Sequence, residues 1–195
     1  MSPRPAPRKG PARPARRGAP PARGNSRPAP SRQSEGIGGE QVEGRQAVLE
    51  LLKARRRAVQ KILIADGQDS ADILDAIELE AQRQRVPVNV VSMARLDREA
   101  RTEGHQGVVA FASRLATVPL DELLEDRHPF LLVCDGVTDP RNLGAMLRSA
   151  DGAGVTGVVL PRHRSARLSP TAAKTAAGAI EYLRFSDVGG IPTAI

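Results

Sequence analysis

Apolar residues along this chain alternate between two rhythms. At Ala47, Val48, Leu51 and Leu52 they recur with helical spacing, and at Lys61 to Ala65 they close up into a short run that reads as a strand. The alternation then repeats. A helix is expected over Ile73, Leu74, Ile77 and Ala81, with Asp69 or Ser70 as its cap, and a strand over Val86 to Val91, where Pro87 suits a strand start. A short helix after Ser92 turns Met93, Leu96 and Ala100 inward, and the turn His105-Gln106-Gly107 enters a strand over Val108 to Ala112. Leu120, Leu123 and Leu124 give the next segment one or two amphipathic turns. Phe130 to Val133 then reads as a buried strand that breaks at Asp135-Gly136. Asp139-Pro140 turns the chain, and Asn142 stands where a helix would start, able to accept a hydrogen bond from an orphan N–H. Leu143, Met146, Leu147, Ala150 and Ala153 form one stripe of that helix. Its other face carries Arg141, Gly144, Ala145, Arg148 and Gly152, so two guanidinium groups flank a floor bare enough for a large partner to come close. Val155 to Leu160 is the following strand and completes a β-loop-α-β unit.

The pattern predicts an α/β protein in two parts: a small three-layer domain over residues 39–114, a linker over 115–128, and a parallel-sheet α/β domain from 129 to 195. On pattern alone, the second part could equally be a scaffold whose surface helix happens to carry arginines.

Composition adds three constraints. Aromatic residues are 2% of the 195 and tryptophan is absent, so the core must be built from Leu, Val, Ile and Ala. The one cysteine, Cys134, excludes an intramolecular disulfide and a cysteine-cluster metal site. It fits a reducing cytoplasm, and at a strand end a buried inert thiol is expected. No apolar run approaches the roughly 20 residues that cross a bilayer, so no membrane partner is expected.

The net charge of +7 is unevenly placed. The first 34 residues hold nine basic side chains, nine prolines and no acid. The remaining 161 carry 20 basic and 22 acidic side chains, a net −2. Residues 1–38 therefore read as a disordered tail, suited to a sequence-indifferent grip on phosphate backbones or simply to solubility. Arg55, Arg56 and Arg57 close the first helix, where cations complement its dipole. His105 invites a catalytic or metal role, but no second histidine stands at ligand spacing, and a loop hydrogen bond is expected.

Two stretches carry a resemblance. Val133-Cys134-Asp135-Gly136-Val137-Thr138-Asp139-Pro140-Arg141-Asn142-Leu143-Gly144-Ala145, followed by Arg148, resembles the first motif of the SpoU/TrmH family of RNA 2′-O-methyltransferases, of the knotted SPOUT class. Gly178-Ala179-Ile180-Glu181 resembles that family's Gly-Ala-x-Glu stretch. Upstream, Val42-Glu43-Gly44-Arg45 and His105-Gln106-Gly107-Val108-Val109-Ala110 are similar to the family's amino-terminal, L30e-like substrate-binding domain. The resemblance runs from about Gln41 to Glu181.

It implies transfer of a methyl group from S-adenosylmethionine to a ribose 2′-hydroxyl of RNA, at a guanosine of 23S ribosomal RNA, by a cytoplasmic homodimer. It also implies that Asn142, Arg148 and Glu181 belong to the active site. A guanidinium with a pKa above about 12 is a poor base, so Arg148 is expected to fix the phosphate and polarise the hydroxyl. Asn142 would position the loop or the ribose. Glu181 would orient an arginine or share a proton, with an ion pair inside the subunit as the competing reading. Arg141, Arg162, Arg164 and Arg167 are candidate RNA contacts, or otherwise an exposed basic surface.

In this family the methyl donor sits in a carboxy-terminal knot built by a Gly-x-Glu-x-x-Gly-type loop and a Ser-Leu-Asn segment, neither of which stands here. Ser186-Asp187-Val188-Gly189-Gly190 also departs from the usual Thr-Asn, and Ile191 to Ile195 looks like the start of a helix. The expectation is a chain lacking the closing part of a family member, its donor pocket incomplete and its parallel sheet open on one edge, so that the activity belongs to the full-length protein and this chain by itself is inactive. A non-catalytic RNA-binding protein, using the first domain and the tail, is the alternative. A Rossmann enzyme is not supported, because no Gly-x-Gly-x-x-Gly follows a strand.

Overall fold

The computed structural model describes Met1, residues 37–68 and residues 71–194. The basic proline-rich segment, with the disorder and RNA contact expected of it, and the Asp69 or Ser70 cap lie outside the described residues. The first half runs β1 (Gln41–Glu43), α1 (Arg45–Ala54), β2 (Val59–Ala65), α2 (Asp72–Arg83), β3 (Val88–Val91), α3 (Met93–Glu99) and β4 (Val108–Ala112). These strands form one sheet in the order β1-β4-β2-β3, parallel between β2 and β3 and antiparallel elsewhere. Alternation along a strand sends successive side chains to opposite faces. Ile62 and Ile64 join Val108 and Ala110 under α1 and α2, while Leu63 and Ala65 join Val109 and Val91 against Leu96 of α3. The result is a three-layer arrangement.

The structure adds one strand here and changes one expectation. β1 is hidden in the sequence by its polarity, yet Gln41 and Glu43 are buried: the Glu43 carboxylate accepts from Arg101 N at 2.7 Å, Thr102 N at 3.0 Å, the Thr102 hydroxyl and Gln41 Nε2. Those bonds offset its desolvation. Met93 is exposed, and Leu96 is the buried residue of α3. The N-cap of α2 is Ala71, which makes no side-chain cap bond.

The second half runs α4 (Leu120–Leu124), β5 (Leu131–Val133), α5 (Pro140–Gly152), β6 (Gly157–Pro161), α6 (Pro170–Thr175), a 3₁₀ turn (Ala179–Glu181), β7 (Phe185–Val188) and α7 (Ile191–Ala194). Its sheet has the order β5-β6-β7 and is parallel throughout. Val158, Leu160 and Phe185 face Leu143 and Leu147 of α5, and Val159 faces Leu123 of α4 and Ile191 of α7.

Here too the structure corrects details. β5 is a sheet edge, with Leu131 and Leu132 half-buried and Phe130 and Val133 exposed, so it is not a buried strand. Leu124 is exposed, leaving Leu123 as the anchor of α4. The third strand starts at Phe185, after Tyr182 closes the 3₁₀ turn with its ring exposed. The cap of α5 is Asp139, whose Oδ1 accepts from Arg141 N at 2.8 Å. Pro140 has no N–H to lose and a φ suited to the first helical position, so Asn142 falls inside the first turn. Ala153, placed on the buried stripe by its spacing, is the exposed C-cap.

Candidate active site

The loops that follow β5 and β6 are tied together. Val137 O accepts from Ala166 N at 2.6 Å and from Ser165 Oγ at 3.3 Å, closing the 162–169 segment onto the 134–139 loop. Arg141 and Asn142, at the start of α5, thereby share one edge of the sheet with Arg162, Arg164 and Arg167. That edge is the carboxyl end of the parallel strands, where ligands bind in open α/β sheets. Arg148 lies two helical turns along from Arg141, roughly 10 Å of rise, on the same side of α5. Arg141, Asn142, Arg148, Arg164 and Arg167 are all exposed. Among the described residues, none of their side chains makes a hydrogen bond or ion pair. Arg162 differs: its Nε stands 3.3 Å from Asp187 Oδ2 and its Nη2 donates to Asp187 O at 3.1 Å, which ties it to β7.

The bare floor expected on α5 is occupied from within. Gly144 is buried, and a Cβ there would stand 2.5 Å from Ala172 O and 2.7 Å from Thr175 Cβ. The close partner is α6 of the same chain. Gly144 serves helix packing and leaves the arginine side of α5 to solvent.

Glu181 is not joined to Asn142 or Arg148. It is 2% exposed, and its Oε1 accepts from Arg57 Nη1 at 2.9 Å, a pair buried on both sides. Its Oε2 is buried with no partner among the described residues. Burial pushes the Glu181 carboxyl above its ordinary value, and the Arg57 and Arg56 guanidinium groups oppose that rise only in part. The sequence suggests Arg56 and Arg57 as cations at a helix end, and the structure gives them other partners. Arg57 Nε donates to Ser113 O at 2.6 Å and its Nη2 to Gly39 O at 2.7 Å. Arg56 Nη1 donates to Leu183 O at 2.6 Å and to Glu181 O at 3.2 Å. Only Arg55 stays local, as the left-handed C-cap of α1 paired to Glu80.

Two expectations hold on the remaining chemistry-bearing residues. His105 is a loop anchor: its Nδ1 accepts from Gly107 N at 3.1 Å, which leaves the Nε2–H to donate to Asp97 Oδ1 at 2.9 Å. Cys134 is buried, and desolvation pushes its thiol up, away from the reactive thiolate. Among the described residues no cluster of His, Cys, Asp or Glu could hold a metal ion, and no helix is long and apolar enough to cross a membrane.

Residues 41–118 match the family described as RNA 2′-O ribose methyltransferase substrate binding, and residues 129–195 match the SpoU rRNA methylase family. The chain belongs to the SpoU family. This SpoU chain is 41% identical over 150 residues to the 23S rRNA (guanosine-2′-O-)-methyltransferase RlmB of Pseudomonas putida, and 42% identical over 147 residues to that of Pectobacterium atrosepticum. The stretches cover 74% and 73% of this chain and 59% of each relative, so the chain spans less than two thirds of the length of the relatives it matches. Its fold is similar to that of the SpoU methyltransferase AviRb from Streptomyces viridochromogenes, solved with AdoMet, at a TM-score of 0.60 and 22% identity. That likeness covers 78% of this chain and 56% of the other. An AdoMet-bound rRNA methyltransferase from Sinorhizobium meliloti gives the same TM-score at 19% identity, over 75% and 53%.

Proposed function

We propose that this SpoU chain serves methyl transfer from S-adenosylmethionine to a ribose 2′-hydroxyl of RNA, at a guanosine of 23S ribosomal RNA. The observation that carries the reading is the group of unpartnered arginines around Asn142 at the carboxyl edge of the parallel sheet. It is supported by the 41% identity to a relative bearing that activity in its name. The reading extends to a homodimer in the cytoplasm, which sedimentation and fractionation test.

S-adenosylmethionine would supply an electrophilic methyl on a sulfonium, which the ribose O2′ would take as the thioether leaves and the hydroxyl proton passes to water. Among the described residues, one surface cavity is lined mainly by apolar side chains, Phe130, Leu132, Met146 and Val155 among them, and another lies beside Arg45 and Gln106 in the first half. Neither suits a nucleoside carrying an amino-acid tail, so the residues of this chain are assigned to the acceptor side alone. Arg148 holds the phosphate next to the target ribose and lowers the cost of charge growing on O2′. Asn142, with both amide groups free, orients the ribose. Arg141, Arg164 and Arg167 hold flanking phosphates, and Arg162 adds to them from its tether on β7.

The test is incorporation of labelled methyl groups from S-adenosylmethionine into a 23S ribosomal RNA transcript, with the Pseudomonas putida relative run alongside for length. Arg148→Ala should lower kcat on the order of 100-fold, the usual cost of one lost transition-state donor. Arg164→Ala should instead weaken RNA binding and reduce the salt slope by about one. RNA binding with no methyl transfer, and no heat on calorimetric titration with S-adenosylmethionine, would overturn the reading in favour of a non-catalytic RNA-binding protein.

A further inference from the structure

Three segments far apart in sequence converge on one buried guanidinium. Gly39 leads into β1, Ser113 leaves β4, and Glu181 ends the 3₁₀ turn of the second half; Arg57 donates to all three at 2.6–2.9 Å. Arg56 adds bonds to the carbonyls of Glu181 and Leu183. Both arginines sit at the corner between α1 and β2, in the first half. The turn they hold is part of the second half's core: Ala179, Ile180 and Leu183 cluster with Leu143 and Leu147 of α5. On the same surface the Tyr182 hydroxyl donates to Glu50 Oε2 at 2.6 Å, and Gly178, at φ +97°, lies so close to α1 that a Cβ would stand 2.4 Å from Glu50 Cβ.

We propose that Arg56 and Arg57 are positioning residues, a latch that fixes α5, with Asn142 and Arg148, relative to the four-stranded half. Glu181 is the latch's counter-charge and does not touch the reacting atoms. The proposal rests on the function given above for α5, and takes the first half, which matches the substrate-binding family, to hold the RNA while α5 presents the reacting groups. A guanidinium is required because its planar fork serves three acceptors lying in different directions, whereas a lysine ammonium on a flexible stem would serve them poorly. Of the fork's three nitrogens, Nε and Nη2 donate to backbone carbonyls and Nη1 to Glu181 Oε1, while Oε2 is left without a partner among the described residues.

The test is first a distance and then a rate. Spin labels at Asn89→Cys on β3 and Asp151→Cys on α5 sit on exposed positions in opposite halves, and the native Cys134 is buried and left unlabelled. The unmodified latch should give one narrow distance distribution without RNA or donor. Arg57→Lys should broaden it. So should Arg56→Ala, which removes two hydrogen bonds without stranding a buried charge and keeps the test alive if Arg57 variants do not fold. An unbroadened distribution in folded Arg56→Ala overturns the latch.

In the methylation assay Arg56→Ala should lower kcat on the order of 10-fold, since small misplacements of reacting groups are costly, with KM for RNA held within about twofold. A change in KM alone, or no change in rate despite a broadened distribution, overturns the positioning role. If the unmodified protein transfers no methyl group, the function proposed above fails, and the distance measurement still decides the latch.

Discussion

Gly144→Ala tests whether the glycine of the Asn-Leu-Gly-Ala run exists for a ligand or for α6. In an exposed helix the change would stabilise by up to about 1 kcal/mol, because glycine gives up the most backbone freedom on folding. At Gly144 the new methyl would meet Ala172 O at 2.5 Å, Thr175 Cβ at 2.7 Å and Ala176 N at 3.1 Å. Two of these three atoms are backbone, so a rotamer change cannot relieve the clash and α5 and α6 must move apart. Overpacking of this kind costs about 1–3 kcal/mol, which outweighs the propensity gain. The net expectation is a loss of about 1 kcal/mol.

Gly152 supplies the control in the same helix. It is exposed, nothing lies within 4 Å of the position a Cβ would take, and its φ is not positive, so Gly152→Ala should gain about 0.4–1 kcal/mol. The two variants should therefore differ by about 2 kcal/mol, or about 4–8 °C in melting temperature for a chain of this size. Thermal unfolding followed by far-ultraviolet circular dichroism reads this directly. Gly144→Ala melting at or above the unmodified protein, or moving in step with Gly152→Ala, would refute the packing account and return Gly144 to the ligand.

Three further outcomes follow from other sites. Glu181 has a folded-state pKa raised above 4.5, so it binds its proton more tightly folded than unfolded; its contribution to stability is fully present below 4.5 and is lost as pH rises through the raised value. Denaturant titrations across that window should show the unmodified protein gaining on Glu181→Gln as pH falls, and an opposite slope would sink the assignment. Cys134 should resist a thiol reagent at pH 8 until the chain unfolds, since burial both hides it and raises its pKa; rapid labelling of the native chain would contradict this. His105→Ala removes the Asp97 and Gly107 bonds and should cost about 1–3 kcal/mol, read from urea unfolding, without any metal dependence of the residual stability.

What the sequence made legible divides along physical lines. Elements with a one-sided apolar period, such as α1 with Val48, Leu51 and Leu52 or α5 with Leu143 and Leu147, were readable because burial alone selects them. The helix over Pro170–Thr175 and the turn after it were not, because Thr-Ala-Ala-Lys-Thr-Ala-Ala-Gly-Ala places alanine on every face and shows no contrast. β1 was missed for the opposite reason: its two polar side chains are buried and satisfied largely by residues about 60 positions away. The cap shifted from Asn142 to Asp139 because Pro140 occupies the first helical position, a local rule that outranks the asparagine's own preference. Arg57 was the least legible of all. Its acceptors lie 18, 56 and 124 residues away, and two are backbone carbonyls, which any residue supplies.

The arginines therefore separate by what they touch. Arg56, Arg57 and Arg184 are engaged by groups of the chain itself, as is Arg162 in part. Arg141, Arg148, Arg164 and Arg167 have no such partner among the described residues. Residues 35–195 carry a net −2, so a general excess of positive charge cannot account for these four. Carboxylates are plentiful enough to pair them, and the fold pairs Arg57, Arg162 and Arg184 with acids instead. Leaving Arg141, Arg164 and Arg167 unpaired at the carboxyl end of a parallel sheet, with Arg148 two turns along α5, keeps their donors available for phosphate, and no desolvated ion pair would have to be broken for RNA to bind. Placement, more than net charge, is what supports reading this edge as the RNA-facing one.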